Sequence, residues 1–279
     1  VIKHLRETIA GQLSLDPIEA MVISIHSISD NVVVQSFLVA CIGFALTVLG
    51  ALPALLGAKI GEVIIPYGMG FSAGVMISAS FTSLLIPAVE IGGIPPTIIG
   101  FLCGALFVEI VNRVLPHEHL VKGFEGSEKL RKKMRMIWLL VIAIIIHNIP
   151  EGAAVGAAVV ESLKRGVLLA IAIGIQNIPE GLAVSLPLVS TSKRIGQAMW
   201  IAILSGIVEP LAALIIAILA SLSRGILPYM LSFAAGAMIY VVSHEVIPET
   251  HAEKRELKAT LSLLIGLIAM FSLDAYYSK

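Results

Sequence analysis

Two hexapeptides carry the chemistry that this chain can do: His147-Asn148-Ile149-Pro150-Glu151-Gly152 and Gln176-Asn177-Ile178-Pro179-Glu180-Gly181. Each sets a carboxylate and an amide, one with an imidazole and one with a second amide, inside an aliphatic run. At helical spacing His147 and Glu151 are i and i+4, as are Gln176 and Glu180, so each pair shares a helix face. Asn148, three residues before Glu151, converges on it. Pro150 and Pro179 each remove a backbone donor and push off the carbonyl four residues earlier, those of Ile146 and Ile175. Freed carbonyls at membrane depth are tolerated where they line a cavity or are otherwise satisfied. The duplication points to one site built from two facing helices.

The charge of that site has to be compensated. An ionised side chain at a bilayer centre costs about 2.5–3.5 kcal/mol on insertion scales, and two adjacent carboxylates repel each other. Neither hexapeptide holds a Lys or Arg. A bound cation, shared protons or a water-filled cavity are the remaining ways to hold Glu151 and Glu180. Glu209, in Ser205-Gly206-Ile207-Val208-Glu209-Pro210, is a third such carboxylate beside a proline. Imidazole, amide and carboxylate donors suit a borderline divalent ion. An all-oxygen magnesium or calcium cage makes little use of imidazole, and a closed structural zinc site uses four fixed Cys and His ligands. Weak, mixed ligands fit a metal in transit.

The elements that must position these residues are membrane helices. Of 279 residues, 57% are hydrophobic and 14% charged, and the mean hydropathy is +0.96. Soluble domains carry about 25% charged residues. Apolar runs of about 20 residues match a hydrocarbon core about 30 Å thick, and the short alternating segments of an outer-membrane barrel are absent. The expected fold is an all-α integral membrane protein with eight transmembrane helices, the fourth and fifth carrying the duplicated Pro-broken metal motif. Residues 1–34 read as an interfacial or amphipathic lead-in, and 35–279 as one transporter domain. The spans fall near 35–56, 66–89, 97–115, 136–160, 166–189, 195–222, from 225 into the stretch 243–251, and 259–277, with Lys164-Arg165 separating the fourth from the fifth. The tight turn before the third is Gly92-Gly93-Ile94-Pro95-Pro96.

Residues 116–135 form the one clearly hydrophilic stretch, with His117-Glu118-His119 followed by Lys129, Arg131, Lys132, Lys133 and Arg135. Most of the 19 Lys and Arg fall in odd-numbered loops, so this His-containing loop is expected in the cytoplasm and both termini outside it. No cleavable signal is evident. Cys41 and Cys103 lie in apolar runs and read as buried thiols rather than a disulfide or CxxC site. Zero formal charge gives no reason to expect a nucleic-acid partner. No GxxxxGK[ST] loop is present for ATP hydrolysis, and His244-Glu245 lacks the second His at i+4 that a zinc protease motif requires. A proton or alkali-cation channel would use membrane carboxylates without needing His147. An intramembrane metalloenzyme would need an open metal position beside a substrate groove.

With both hexapeptides, Glu209-Pro210-Leu211 and Ser243-His244-Glu245-Val246-Ile247-Pro248-Glu249-Thr250-His251, the chain resembles the ZIP (Zrt/Irt-like) divalent-metal transporters, most closely their bacterial GufA-like branch. The resemblance covers the chain after the lead-in. It implies a secondary transporter, not an enzyme, that moves Zn²⁺ or a similar ion (Fe²⁺, Cd²⁺, Mn²⁺) into the cytoplasm by alternating access. It implies a two-metal centre, with Met76, His147, Glu151, Gln176 and Glu180 at one position. Asn148, Glu151, Asn177, Glu180 and Glu209 would hold the second, the two shared glutamates bridging. Asn177 and Asn112 stand where relatives often carry an acid. A cytoplasmic release route would use Asn112, His117, His119, His244 and Glu245. No prosthetic group is implied, only the transported metal. The cell membrane is the expected location, and a homodimer the expected assembly.

Overall fold

The computed structural model describes residues 16–53, 58–114, 117–119, 123–125, 136–192, 195–250 and 256–277. Almost all of these are helical. Pro17–Ile28 (α1) opens on Asp16, whose carboxylate accepts the Ile18 N–H at 2.8 Å. Val32–Ala51 (α2) opens on Asn31, which accepts from Val33. Both are side-chain caps that satisfy orphaned donors of a first turn. Ala58–Ala79 (α3) passes through a π turn at Ser80–Leu85 into Ile86–Gly92 (α4). Gly93 then takes φ +78°, which suits glycine, and Ile94–Val114 (α5) begins at once.

A short antiparallel hairpin, His117–His119 (β1) with Gly123–Glu125 (β2), precedes the two motif-bearing helices. These are Met136–Glu161 (α6, 26 residues) and Leu163–Ser192 (α7, 30 residues). Ile195–Gly206 (α8) and Val208–Leu222 (α9) follow almost without interruption. Leu227–Val241 (α10) passes through a second π turn, Val242–Val246, into Ile247–Thr250 (α11). Glu256–Tyr277 (α12) completes the order. The rest of the expected 116–135 loop, including its basic run, lies outside the described residues.

The all-helical membrane class is borne out. Among the described residues six helices are long and apolar enough to cross a membrane: Val32–Ala51, Tyr67–Gly92, Ile94–Val114, Ala198–Leu222, Leu227–Val246 and Glu256–Tyr277. Their outer faces carry exposed Leu, Ile and Phe, such as Leu102, Leu106 and Ile110 on α5 and Leu264, Ile265, Ile268 and Phe271 on α12. On a protein in water such faces would be an aggregation hazard; against lipid they are matched.

The helices sort into two groups by what they pack against. α2 lies on α7 and α9, α9 on α6, and α8 on α2 and α7; α12 lies on α3, and α10 on α5. The groups meet along α3 with α7 and along α10 with α6. Small residues allow this closeness, because lipid supplies no hydrophobic drive for helices to associate. Gly104 sits against the Phe233 carbonyl, and Gly236 against that of Phe101. Between α3 and α12, Gly74 abuts Leu263 and Gly266 abuts Phe71.

Three local expectations change. Cys41 on α2 is half-buried and Cys103 on α5 exposed, where buried thiols are expected. Both motif helices run continuously through Pro150 and Pro179, although a break was expected at each. A proline deletes one ladder bond, and the bonds of its neighbours and the packing on both sides keep the path. The break comes instead at Gly206-Ile207, before Glu209-Pro210, where α8 gives way to α9. Lys164-Arg165 also do not separate the fourth and fifth spans. The chain reverses at Ser162, and both residues lie in the first turn of α7, with Arg165 paired to Glu161 at 3.2 Å.

Candidate metal centre

The antiparallel contact of α6 and α7 brings the start of one hexapeptide to the end of the other. Gln176 Nε2 donates to Glu151 Oε1 at 2.5 Å. One residue on, Asn177 Nδ2 donates to Glu209 Oε2 at 2.9 Å, tying α7 to α9. Asn148 Nδ2 donates to the Ser205 carbonyl at 2.8 Å, tying α6 to the last turn of α8. Asn148, Glu151, Gln176, Asn177 and Glu209 are all buried. The carboxylates of Glu180 and Glu209 both act electrostatically on Glu151, and Glu180 acts on Glu209. Six of the eight expected ligands therefore converge where α6, α7 and α9 meet.

The remaining two lie at the edge of this group. His147 is partly buried on α6, one turn before Glu151, and its Nε2 lies 3.1 Å from Glu245 Oε2 on α10's π turn. It also acts on Glu180, which is half-buried beside Ser72. Met76 is fully buried on α3. Ser72, one turn earlier on that helix, donates to the Gln176 carbonyl at 3.1 Å. Residues four apart share a helix face, so Met76 stands on the side of α3 turned to α7.

The chemistry of the donor set shows in what is left unsatisfied. Glu151 Oε2, Gln176 Oε1, Asn177 Oδ1 and Glu209 Oε1 are buried oxygens without a hydrogen-bond partner. An orphaned buried acceptor costs about 1–3 kcal/mol, and native proteins keep few of them. Four at one point, all acceptors, form a place that a cation would satisfy and a further donor-poor side chain would not. Among the described residues, no three His, Cys, Asp or Glu side chains stand close enough together to hold a metal ion. The amide nitrogens of Gln176 and Asn177 occupy the near oxygens of Glu151 and Glu209, so the carboxylates hold amides rather than one another.

The proposed release residues divide. Asn112 and Glu245 are buried together, Asn112 Nδ2 donating to Glu245 Oε1 at 2.7 Å, so α5 and α10 deliver them directly to His147. His244 is exposed, its ring 5.2 Å from that of Tyr240. Tyr240 in turn hydrogen-bonds Glu109, which also holds Arg113. The backbone places His117 and His119 at opposite ends of β1, which packs on α6; their side chains lie outside the described residues.

Three residues close to the site were not anticipated. Ser72 and Ser205 meet the motifs through the backbone carbonyls just described. Gly43 on α2 has no side chain where the Glu209 carboxylate lies. Single serines give no signal in a sequence. The recurrence of Gly43, Thr47, Gly50 and Ala51 along one face of an apolar helix is a legible sign of close packing, though not of what packs there.

The chain matches the family model described as ZIP zinc transporter over residues 112–274. It is 41% identical to zinc transporter ZIPB of Bordetella bronchiseptica, over 83% of this chain and 78% of that one. It is 39% identical to zinc transporter GufA of Myxococcus xanthus, over 82% and 93% of the two chains. It is 33% identical to zinc transporter ZIP11 of Homo sapiens, over 87% and 97%. The matched region begins at Asn112 and takes in both hexapeptides, Glu209 and Glu245, whereas Gly43, Ser72 and Met76 precede it. This chain belongs to the ZIP zinc transporter family, on its bacterial GufA-like side.

Proposed function

We propose that this protein moves Zn²⁺, or a similar divalent ion such as Fe²⁺, Cd²⁺ or Mn²⁺, into the cytoplasm as a secondary transporter. The observation that carries the reading is the knot of buried, unpartnered oxygens on Glu151, Gln176, Asn177 and Glu209. A divalent cation there would satisfy acceptors that the protein leaves open and would offset the repulsion among three carboxylates. α6 and α7 then count as spans four and five, giving eight in one membrane domain after a short lead-in, with both termini outside the cytoplasm.

Two metal positions follow from the two sides of the knot. Met76, His147, Glu151, Gln176 and Glu180 would hold one ion, and Asn148, Glu151, Asn177, Glu180 and Glu209 the other. An amide suits this exchange: its nitrogen guards a carboxylate while the site is empty, and its oxygen becomes a ligand when a metal arrives. The grouping of α2, α6, α7, α8 and α9 against α3, α5, α10 and α12 supports alternating access by movement of one group along the other. His147, paired to Glu245 across that boundary, hands the ion toward Asn112, Glu245, His244 and the His117–His119 strand. No prosthetic group is needed, and a homodimer in the cell membrane is the assembly we expect.

Metal uptake into proteoliposomes tests this. Wild type should show saturable zinc uptake, and the double variant Glu151→Ala, Glu180→Ala should fall to the level of protein-free liposomes. Intact uptake by the double variant would refute the site.

A further inference from the structure

We propose that Gly43, on a helix that supplies no ligand, determines where the Glu209 carboxylate stands and thereby the ion preference of the second metal position. This rests on the reading of Glu209 as a ligand.

Glu209 is fully buried and its carboxylate is enclosed on two sides. Asn177 Nδ2 holds Oε2 at 2.9 Å. On the other side the carboxylate lies over Gly43, and a Cβ built at residue 43 would fall on Oε1. Oε1 is the oxygen that has no hydrogen-bond partner. The glycine thus leaves a slot whose floor is the α2 backbone and whose open oxygen is the one a metal would use.

The main chain of Glu209 is held independently. Gly152 of α6 packs against the Glu209 carbonyl, and Gly156 against Ala213 one turn later. With its backbone fixed between α6 and α2, Glu209 can answer a change at residue 43 only by rotating its side chain. A methyl group there would lift the carboxylate off α2 and into the space shared with Asn177, Glu151 and Glu180. The other glycines of this interface do something different. A Cβ at Gly50 would meet the backbone of Ile178, and one at Gly181 the backbone of Thr47. Those positions set the distance between helices, whereas at Gly43 the first atoms met are the flexible end of a side chain.

Groups that only orient a metal ligand commonly change affinity or activity about 10–100-fold when altered. Gly43→Ala should therefore lower zinc uptake about tenfold. Because the methyl group narrows the second position, uptake of the larger cadmium ion should fall further than that of zinc. Glu209→Asp in the same background shortens the acid by one methylene and should restore both uptake and the zinc-to-cadmium ratio toward wild type. Zinc and cadmium uptake into proteoliposomes, on protein recovered monodisperse in detergent, reads all three outcomes beside Glu151→Ala, Glu180→Ala. If the double glutamate variant loses uptake while Gly43→Ala keeps wild-type uptake and ratio, this proposal is overturned and the metal centre stands. If the double glutamate variant transports normally, the parent reading fails first. If Glu209→Asp restores nothing, or if neither Gly43→Ala protein inserts, the glycine serves helix packing and the proposal is wrong.

Discussion

Two buried knots of carboxylate sit within a few helical turns of each other, and they are satisfied differently. At the meeting of α6, α7 and α9, Glu151 and Glu209 each receive one amide donor and keep one oxygen open. At the π turn that ends α10, Glu245 has Asn112 at 2.7 Å on one oxygen and His147 at 3.1 Å from the other. The first knot leaves four buried acceptors open, a setting that a cation would satisfy. In the second, Asn112 Oδ1 is open, and what stands at Glu245 Oε2 is His147, a residue of the first. His147 is thus the hinge between them: a metal that claims its imidazole also takes the partner of Glu245 away.

The largest break in this contrast should come from Glu151→Gln. It still offers an oxygen to the Gln176 amide but removes a carboxylate charge from the group of open acceptors, so zinc uptake should fall on the order of a hundredfold. Glu245→Gln still offers an oxygen to Asn112 and should lose about tenfold or less. Equal losses would mean that the two knots are one functional unit. His147→Ala touches both and should approach the Glu151 variant in uptake. Unlike that variant, it should take away the imidazole that faces buried Glu245, which destabilises the metal-free protein by roughly 1–3 kcal/mol in a detergent melt.

Asn177→Asp sharpens the same comparison from the opposite direction. It replaces a donor that faces Glu209 with a like charge, so the metal-free protein should melt lower. Zinc, by binding the folded state with two acids at the second position, should raise the melting temperature more than in wild type. Chelator should abolish that difference. A variant that melts like wild type with and without zinc would remove Asn177 from the site. The smallest effect is expected at Ser72→Ala. It deletes one interhelical bond to the Gln176 carbonyl, a class worth about 0.6 kcal/mol inside membranes, and should leave uptake within about twofold.

The spans were legible because a bilayer demands long apolar runs and leaves few alternatives to the helix. The α5 and α12 segments needed no tertiary information to be placed. The path through the prolines was not legible. Pro150, Pro179 and Pro210 are chemically alike, yet only the third lies beside a break, since Gly206-Ile207 precede it in the chain while α6 and α7 are clamped on several sides. The seven-residue gap from His244 to His251 correctly excluded a protease motif, but nothing in it showed that Glu245 turns inward while His244 faces out. That split falls within the π turn of Val242–Val246, and which of two neighbouring residues faces inward depends on how the helix is rotated against α5 and α6.

The sequence by itself determined the membrane class, the identity of the polar residues and the pairing of the two hexapeptides. Hydropathy and the i, i+4 rule act within a single segment, so they survive without a fold. Tertiary structure alone decided which amide meets which carboxylate, that His147 reaches Glu245, and that Gly43 leaves room for Glu209. Those contacts join helices far apart in the chain. They depend on rotation and depth of one helix against another, which close packing of small residues fixes and local sequence does not encode.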